Sequence, residues 1–196
     1  MKKIALSLLT LLVLGFISLI YIHETDSFTQ KYLNERDPVV KLQLLEQIME
    51  RGENEKWSWS DNAAKIAFQV GDHEKAEKYA QASLAMSKDF ENNWNYGNAI
   101  HNSNVILGRI SLAQGNIEEA KAYLVRASKS HGSPQLDTFG PNFKLANELL
   151  KKGESDVVVQ YLRSVSKFWE MDNGCIDRWL SEIDDGETPS LCKCSC

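Results

Sequence analysis

The sequence predicts an all-α protein built as an array of helical hairpins, and three observations predict it. The first is a pattern that comes round three times. Ala64-x-x-Ala67-x-x-x-Gly71-Asp72-x-x-x-Ala76 returns as Gly108-x-x-Ser111-x-x-x-Gly115-Asn116-x-x-x-Ala120, and more loosely as Ala146-x-x-Leu149-x-x-x-Gly153-Glu154-x-x-x-Val158. Self-similarity on this scale marks a repeat architecture. The second is apolar spacing of three and four residues along the body, with no convincing two-residue alternation. The third is punctuation. Only 4 prolines and 11 glycines occur, most of them between helical patterns, and no low-complexity tract is present. With 196 residues, 43% apolar and 25% charged, the chain has material for one core-bearing domain.

Residues 1–23 read as a signal anchor. Lys2 and Lys3 precede an uncharged run from Ile4 to Ile22, and Glu24 and Asp26 follow it. About 20 apolar residues span a bilayer core, and the flanking charges put the N-terminus in the cytoplasm. The run is longer than a cleavable signal core, and no A-x-A-like site follows it. A retained anchor is therefore expected, with secretion after cleavage as the alternative. No cysteine lies near its end, so lipoprotein processing is excluded. After residue 22 the chain holds 20 basic against 27 acidic residues and no Lys/Arg cluster. Such a body is a poor electrostatic match for nucleic acid.

Residues 24–56 form a juxtamembrane and N-terminal helical segment. Asp37-Pro38 is a helix start, because Asp accepts from free first-turn N–H groups and Pro loses nothing there. Val39, Leu42, Leu45, Ile48 and Met49 fall on one face, and Gly52 is the expected stop.

The repeats occupy residues 57–170. The first hairpin runs from about Ser58 to Ser87, with Ala63, Ile66, Ala67 and Val70 answered by Ala76, Tyr79, Ala80 and Leu84 across Gly71-Asp72. The second runs from about Asn98 to Ser130, and Asn116-x-x-Glu119 has the form of a capping box. The third runs from about Pro141, placed at a helix start, to Trp169. Residues 171–196 supply a capping helix, Cys175 to Ile183, and a loose cysteine-bearing tail.

These hairpins resemble tetratricopeptide repeats over roughly residues 57–165, best in Leu107-Gly108, Gly115-Asn116, Ala120, Leu124 and Ala127. The turn glycines are 44 and then 38 residues apart, against a family unit of 34, so the connecting loops are longer here. The segment from Gly132 to Asn142, with Phe168-Trp169 beyond it, is similar to bacterial members of the family with no assigned activity. The resemblance implies an inner surface lined by the first helices that holds a peptide or partner protein. Asp61, Lys65, Asn102, Arg109, Asn147 and Lys151 are expected on that face. Lys65, Arg109 and Lys151 would clamp a carboxylate, with Asn102 and Asn147 as amide partners; a solvated helix face is the alternative.

Trp94 and Tyr96 sit in the Asn-rich stretch 91–98 and are candidate binding anchors, or aromatics tucked into the array. Cys175, Cys192, Cys194 and Cys196 suit disulfides outside the cytoplasm, with soft-metal or thiol handling by the tail as the alternative. His23, His73, His101 and His131 show no metal-ligand spacing, His101 being read as a surface or groove residue. No nucleophile elbow, phosphate loop or zincin motif occurs. The expectation is thus a non-enzymatic interaction protein with no cofactor, on the outer side of a bacterial inner membrane.

Overall fold

The structure is a computed structural model that describes residues 28–192. The anchor expected at residues 4–22, and Cys194 and Cys196, lie outside the described residues. Among the described residues there is no strand, and no helix is long and apolar enough to cross a membrane.

A short helical stretch, 28–34, leads into α1 (Pro38–Met49). Then follow α2 (Glu53–Gln69), α3 (His73–Met86), a 3-10 turn (Ser87–Asp89), α4 (Tyr96–Ala113) and α5 (Ile117–Ala127). The chain continues as α6 (Pro134–Phe139), α7 (Lys144–Leu150), α8 (Ser155–Val165) and α9 (Cys175–Asp184). The hairpins are α2–α3, α4–α5 and α7–α8, with the first helices α2, α4 and α7 side by side and α9 packed on α8.

The three repeat glycines share one turn. Gly71, Gly115 and Gly153 all have φ of +84°, a region open to glycine and strained for other L-residues. In each turn the glycine N–H bonds the carbonyl three residues back, as in Gly71 N to Phe68 O at 3.2 Å. The next N–H reaches back five, at 2.9 Å for Asp72 to Ala67, 2.8 Å for Asn116 to Ser111 and 3.1 Å for Glu154 to Leu149. This bond pair closes the otherwise unpaired carbonyls of a helix end.

The small residues of the motif set the helix spacing. Ala63, Ala64 and Ala67 are fully buried, as are Ala76 and Ala80. A Cβ on Gly108 would overlap the Leu145 side chain and sit 3.0 Å from the Tyr123 Cβ. A side chain at 108 would have to push aside the tip of Leu145 from the third hairpin and crowd Tyr123 within the second.

Two apolar cores flank α4. Leu45, Ile48, Ala67, Ile106 and Leu107 belong to the N-terminal one. Val105, Leu124, Leu149, Tyr161, Trp169 and Trp179 belong to the C-terminal one. Neighbours on α4 thus point into different cores.

Several expectations change. α2 starts at Glu53, five residues before the expected Ser58, which brings Trp57 into the fold. Trp57 is fully buried, stacks on Phe90 at 4.4 Å and donates from Nε1 to Ser87 Oγ at 3.1 Å. Gly52 stops nothing: α1 ends at Met49, and Gly52 is extended at the N-cap of α2. Val39 is 52% exposed, so the buried stripe of α1 begins one turn later, at Leu42, and continues through Leu45, Ile48 and Met49. The capping box does not form: Asn116 makes no side-chain cap, and Glu119 accepts from Ser111 Oγ at 3.2 Å. Only Asp72 caps its helix through a side chain in this set of turns, accepting from Lys75 N at 3.0 Å. Pro141 is buried in coil, and α7 begins three residues later at Lys144. The extra helix α6 was not expected. Ser133 caps it by accepting from Leu136 N at 3.1 Å, and Pro134 opens it.

Candidate peptide-binding groove

The inner sides of α2 and α4, with the loop before α4 and the segment from α6 to α7, enclose a groove of about 460 Å³. Asp61, Asn62 and Lys65 come from α2, Asn98 and Asn102 from α4, and Gln135, Phe139, Asn142 and Lys144 from the segment beyond the second hairpin. It runs into a smaller hollow of about 220 Å³ lined by Lys65, Phe68, Arg109, Asn142 and Lys144 among others.

Asp61 is the charged floor. It was expected to face solvent, yet it is only 3% exposed, because α4 packs across the face that helical spacing alone leaves open. Asn102 Nδ2 donates to its Oδ2 at 2.9 Å, and Asn62 Nδ2 lies 3.4 Å from Oδ1. Burial pushes the Asp61 carboxyl above the ordinary carboxylate range, against the lowering pull of the Asn102 amide. A buried carboxylate without a cation in contact costs stability and is retained only where something offsets it.

The wall opposite is a polar network. Asn98 Nδ2 donates to Asn95 Oδ1 at 2.8 Å and to Gln135 Oε1 at 3.1 Å, while Asn98 Oδ1 accepts from Ser133 Oγ at 2.7 Å. Ser130 Oγ donates to Gly97 O at 2.9 Å. The Asn-rich loop and the α6 segment are thereby fastened to each other. His101 holds the same region from below. It is completely buried, not a surface or groove residue, because α5 and the loop before α7 close over it. Asn142 N donates to Nε2 at 3.1 Å, so Nε2 is the acceptor and Nδ1 carries the proton donated to Ala127 O at 3.2 Å. Burial drops its pKa to about 4, so the ring is neutral at physiological pH.

The expected anchors divide. Trp94 lines the groove and is 62% exposed, near the 59% exposed Phe139. Tyr96 stacks on His131 at 5.1 Å and serves the fold. Lys65 is exposed on the groove rim. Arg109 is not an available clamp: its Nε lies 2.9 and 3.0 Å from the two Glu148 oxygens, its Nη2 lies 2.7 Å from Oε1, and its guanidinium covers Phe68 at 4.3 Å. A cation already satisfied by a bidentate carboxylate has little left for a ligand. Lys151 is exposed and outside the groove lining. Asn147 is bound to the chain's own backbone at Leu191. Cys175 is a buried disulfide cysteine and Cys192 a free, exposed one. Among the described residues no cluster of His, Cys, Asp and Glu could hold a metal ion.

Asn98, Gln135, Phe139, Asn142 and Lys144 were not singled out from sequence. The run of asparagines at 92, 93, 95 and 98 was the available signal, because so many amides in one loop exceed what a turn needs.

Stacked α-hairpins with an open polar inner face define a helical-repeat interaction module. Residues 101–130, most of α4 and all of α5, match the tetratricopeptide repeat family, so this is a protein carrying a tetratricopeptide repeat. No curated protein and no solved structure matches the chain.

Proposed function

We propose that this protein is a membrane-anchored binding module that holds an extended segment of a partner protein along the inner faces of α2 and α4. The observation that carries the reading is the composition of the groove. Asn102, Gln135 and Asn142, from three separate segments, line it beside the buried Asp61 and each keep amide atoms outside the internal network that Asn98 completes, with exposed Trp94 and Phe139 at one side and Lys65 and Lys144 at the rim. Side-chain amides pair with a peptide backbone through both a donor and an acceptor, exposed aromatics anchor an apolar side chain, and the lysines suit a carboxylate. The fitting partner is an extended peptide with an apolar residue next to an acidic one. Residues 4–22 would tether the module to a bacterial inner membrane and raise its local concentration near a membrane partner.

The test is selection of binding peptides from a display library, followed by titration against variants. Lys65→Glu and Asn102→Ala should each weaken the selected peptide at least tenfold while the helical circular dichroism is unchanged. Undiminished binding in both would reject the groove. Carbonate washing of membranes separates a retained anchor, which stays in the pellet, from a secreted form. Stoichiometric copper or zinc that disappears on deleting residues 192–196 would move the function to the tail.

A further inference from the structure

The inner wall already holds a peptide, and it belongs to this chain. Asn147 stands six residues before its turn glycine, the same repeat position as Lys65 and Arg109, which line the neighbouring hollow. Its side chain reads both polar groups of one residue: Nδ2 donates to Leu191 O at 2.7 Å, and Oδ1 accepts from Leu191 N at 2.8 Å. The second Nδ2 bond goes to Phe143 O at 3.1 Å and fixes the amide's orientation. The Leu191 side chain is 3% exposed and joins the C-terminal core, whereas residues 187, 188, 190 and 192 around it are exposed and without helix. A backbone clamp with a single apolar socket is how an extended strand is recognised with little sequence demand.

We infer that the Asn147 face of the third hairpin is a peptide slot, occupied in the free protein by the segment 187–192, which a partner running the full length of the inner wall has to displace. The inference deepens the groove reading and rests on it for the identity of the displacing ligand. The slot itself is tested without any foreign partner. Being intramolecular, the strap has a high effective concentration, so it lowers the affinity of every competing peptide and limits the module to partners that also engage the α2–α4 groove.

The experiment uses the full chain with its Cys175 disulfide reduced, so that the bond does not hold the tail in place, and a labelled synthetic peptide of residues 187–192 carrying Cys192→Ser. Fluorescence anisotropy should show saturable binding to the Leu191→Asp protein, whose own strap is expelled. Binding should be at least tenfold weaker to the native chain and lost in the Leu191→Asp/Asn147→Ala double variant. Equal binding to native and Leu191→Asp chains would show the slot to be unoccupied, and no binding to either would show that it does not read peptides; each overturns the inference. Hydrogen exchange adds a readout if Leu191→Asp perturbs folding. The Leu191 amide should exchange at least tenfold faster in Asn147→Ala than in the native chain, and an unchanged rate would also overturn it.

Discussion

At the scale of single residues, two buried titratable groups pull stability in opposite directions with pH. His101 goes from an ordinary value of 6.5 to about 4 on folding. Between those values the unfolded chain binds the extra proton, so stability rises with pH. The His101 contribution is complete above 6.5 and drains away as pH falls toward 4. At 1.36 kcal/mol per pKa unit, the loss by pH 4.5 is about 2–3 kcal/mol. Urea denaturation at pH 7 and 4.5 should show it, and His101→Gln should flatten that part of the profile. Asp61 has the reverse sign. Its raised pKa means that the native state keeps the proton longer, so stability falls as pH rises through its window. Asp61→Asn should therefore stabilise the protein at pH 7 by about 1 kcal/mol, a gain that shrinks on acidification. It should also weaken peptide binding, since a destabilising buried charge retained at a groove floor is the usual trade of stability for function. A matching gain in stability with unaltered binding would reduce Asp61 to a tolerated defect. Neither environment was legible from sequence. Helical spacing places Asp61 and His101 on faces, but whether a face meets water depends on which neighbouring helix crosses it. Asn102 and Trp94, by contrast, are candidates that residue type and position suggest, and both line the groove.

At the scale of elements, the recurring motif carries two separable costs. Gly115→Ala forces a side chain into a left-handed turn and should destabilise by about 1 kcal/mol. Gly108→Val instead drives atoms into Leu145 and Tyr123 and should cost about 1–3 kcal/mol by overpacking. Urea melts of both variants compare them, and a smaller loss for Gly108→Val would mean that the hairpins can separate at little cost. The hairpins were legible because this motif states both requirements, a turn glycine and small facing residues, in one string. Boundaries were less so. α2 begins at Glu53 because Trp57 docks on Phe90 and Ser87, a contact 30 residues distant in sequence. The capping box failed for a local reason: the glycine turn already engages the Asn116 N–H with Ser111 O, and Glu119 is drawn to Ser111 Oγ. The six residues of α6 are too few to display a helical period.

At the scale of the molecule, stability in a stacked array is shared between neighbours and need not be uniform. The two cores meet chiefly across α4, which sends Val105 into one and Ile106, Leu107 and Ile110 into the other, with Tyr123 of α5 adding to the N-terminal side. A cavity at the far end should therefore be felt locally. Leu162→Ala, at a fully buried position on α8, should cost about 2–5 kcal/mol, and its effect should appear first as faster amide exchange in α7 to α9 while α1 to α3 keep their protection. Ile106→Ala differs in kind. It loosens the helix that contributes buried residues to both cores, so exchange should quicken on both sides. Hydrogen exchange with mass spectrometry on both variants distinguishes the cases. If Leu162→Ala quickens exchange equally from α1 to α9, the array unfolds as one cooperative unit and the division across α4 has no energetic meaning. If the division holds, the Asn147 slot sits in the half that can loosen while the α2–α4 groove keeps its shape, and a partner can displace the strap without dismantling the surface that first engages it.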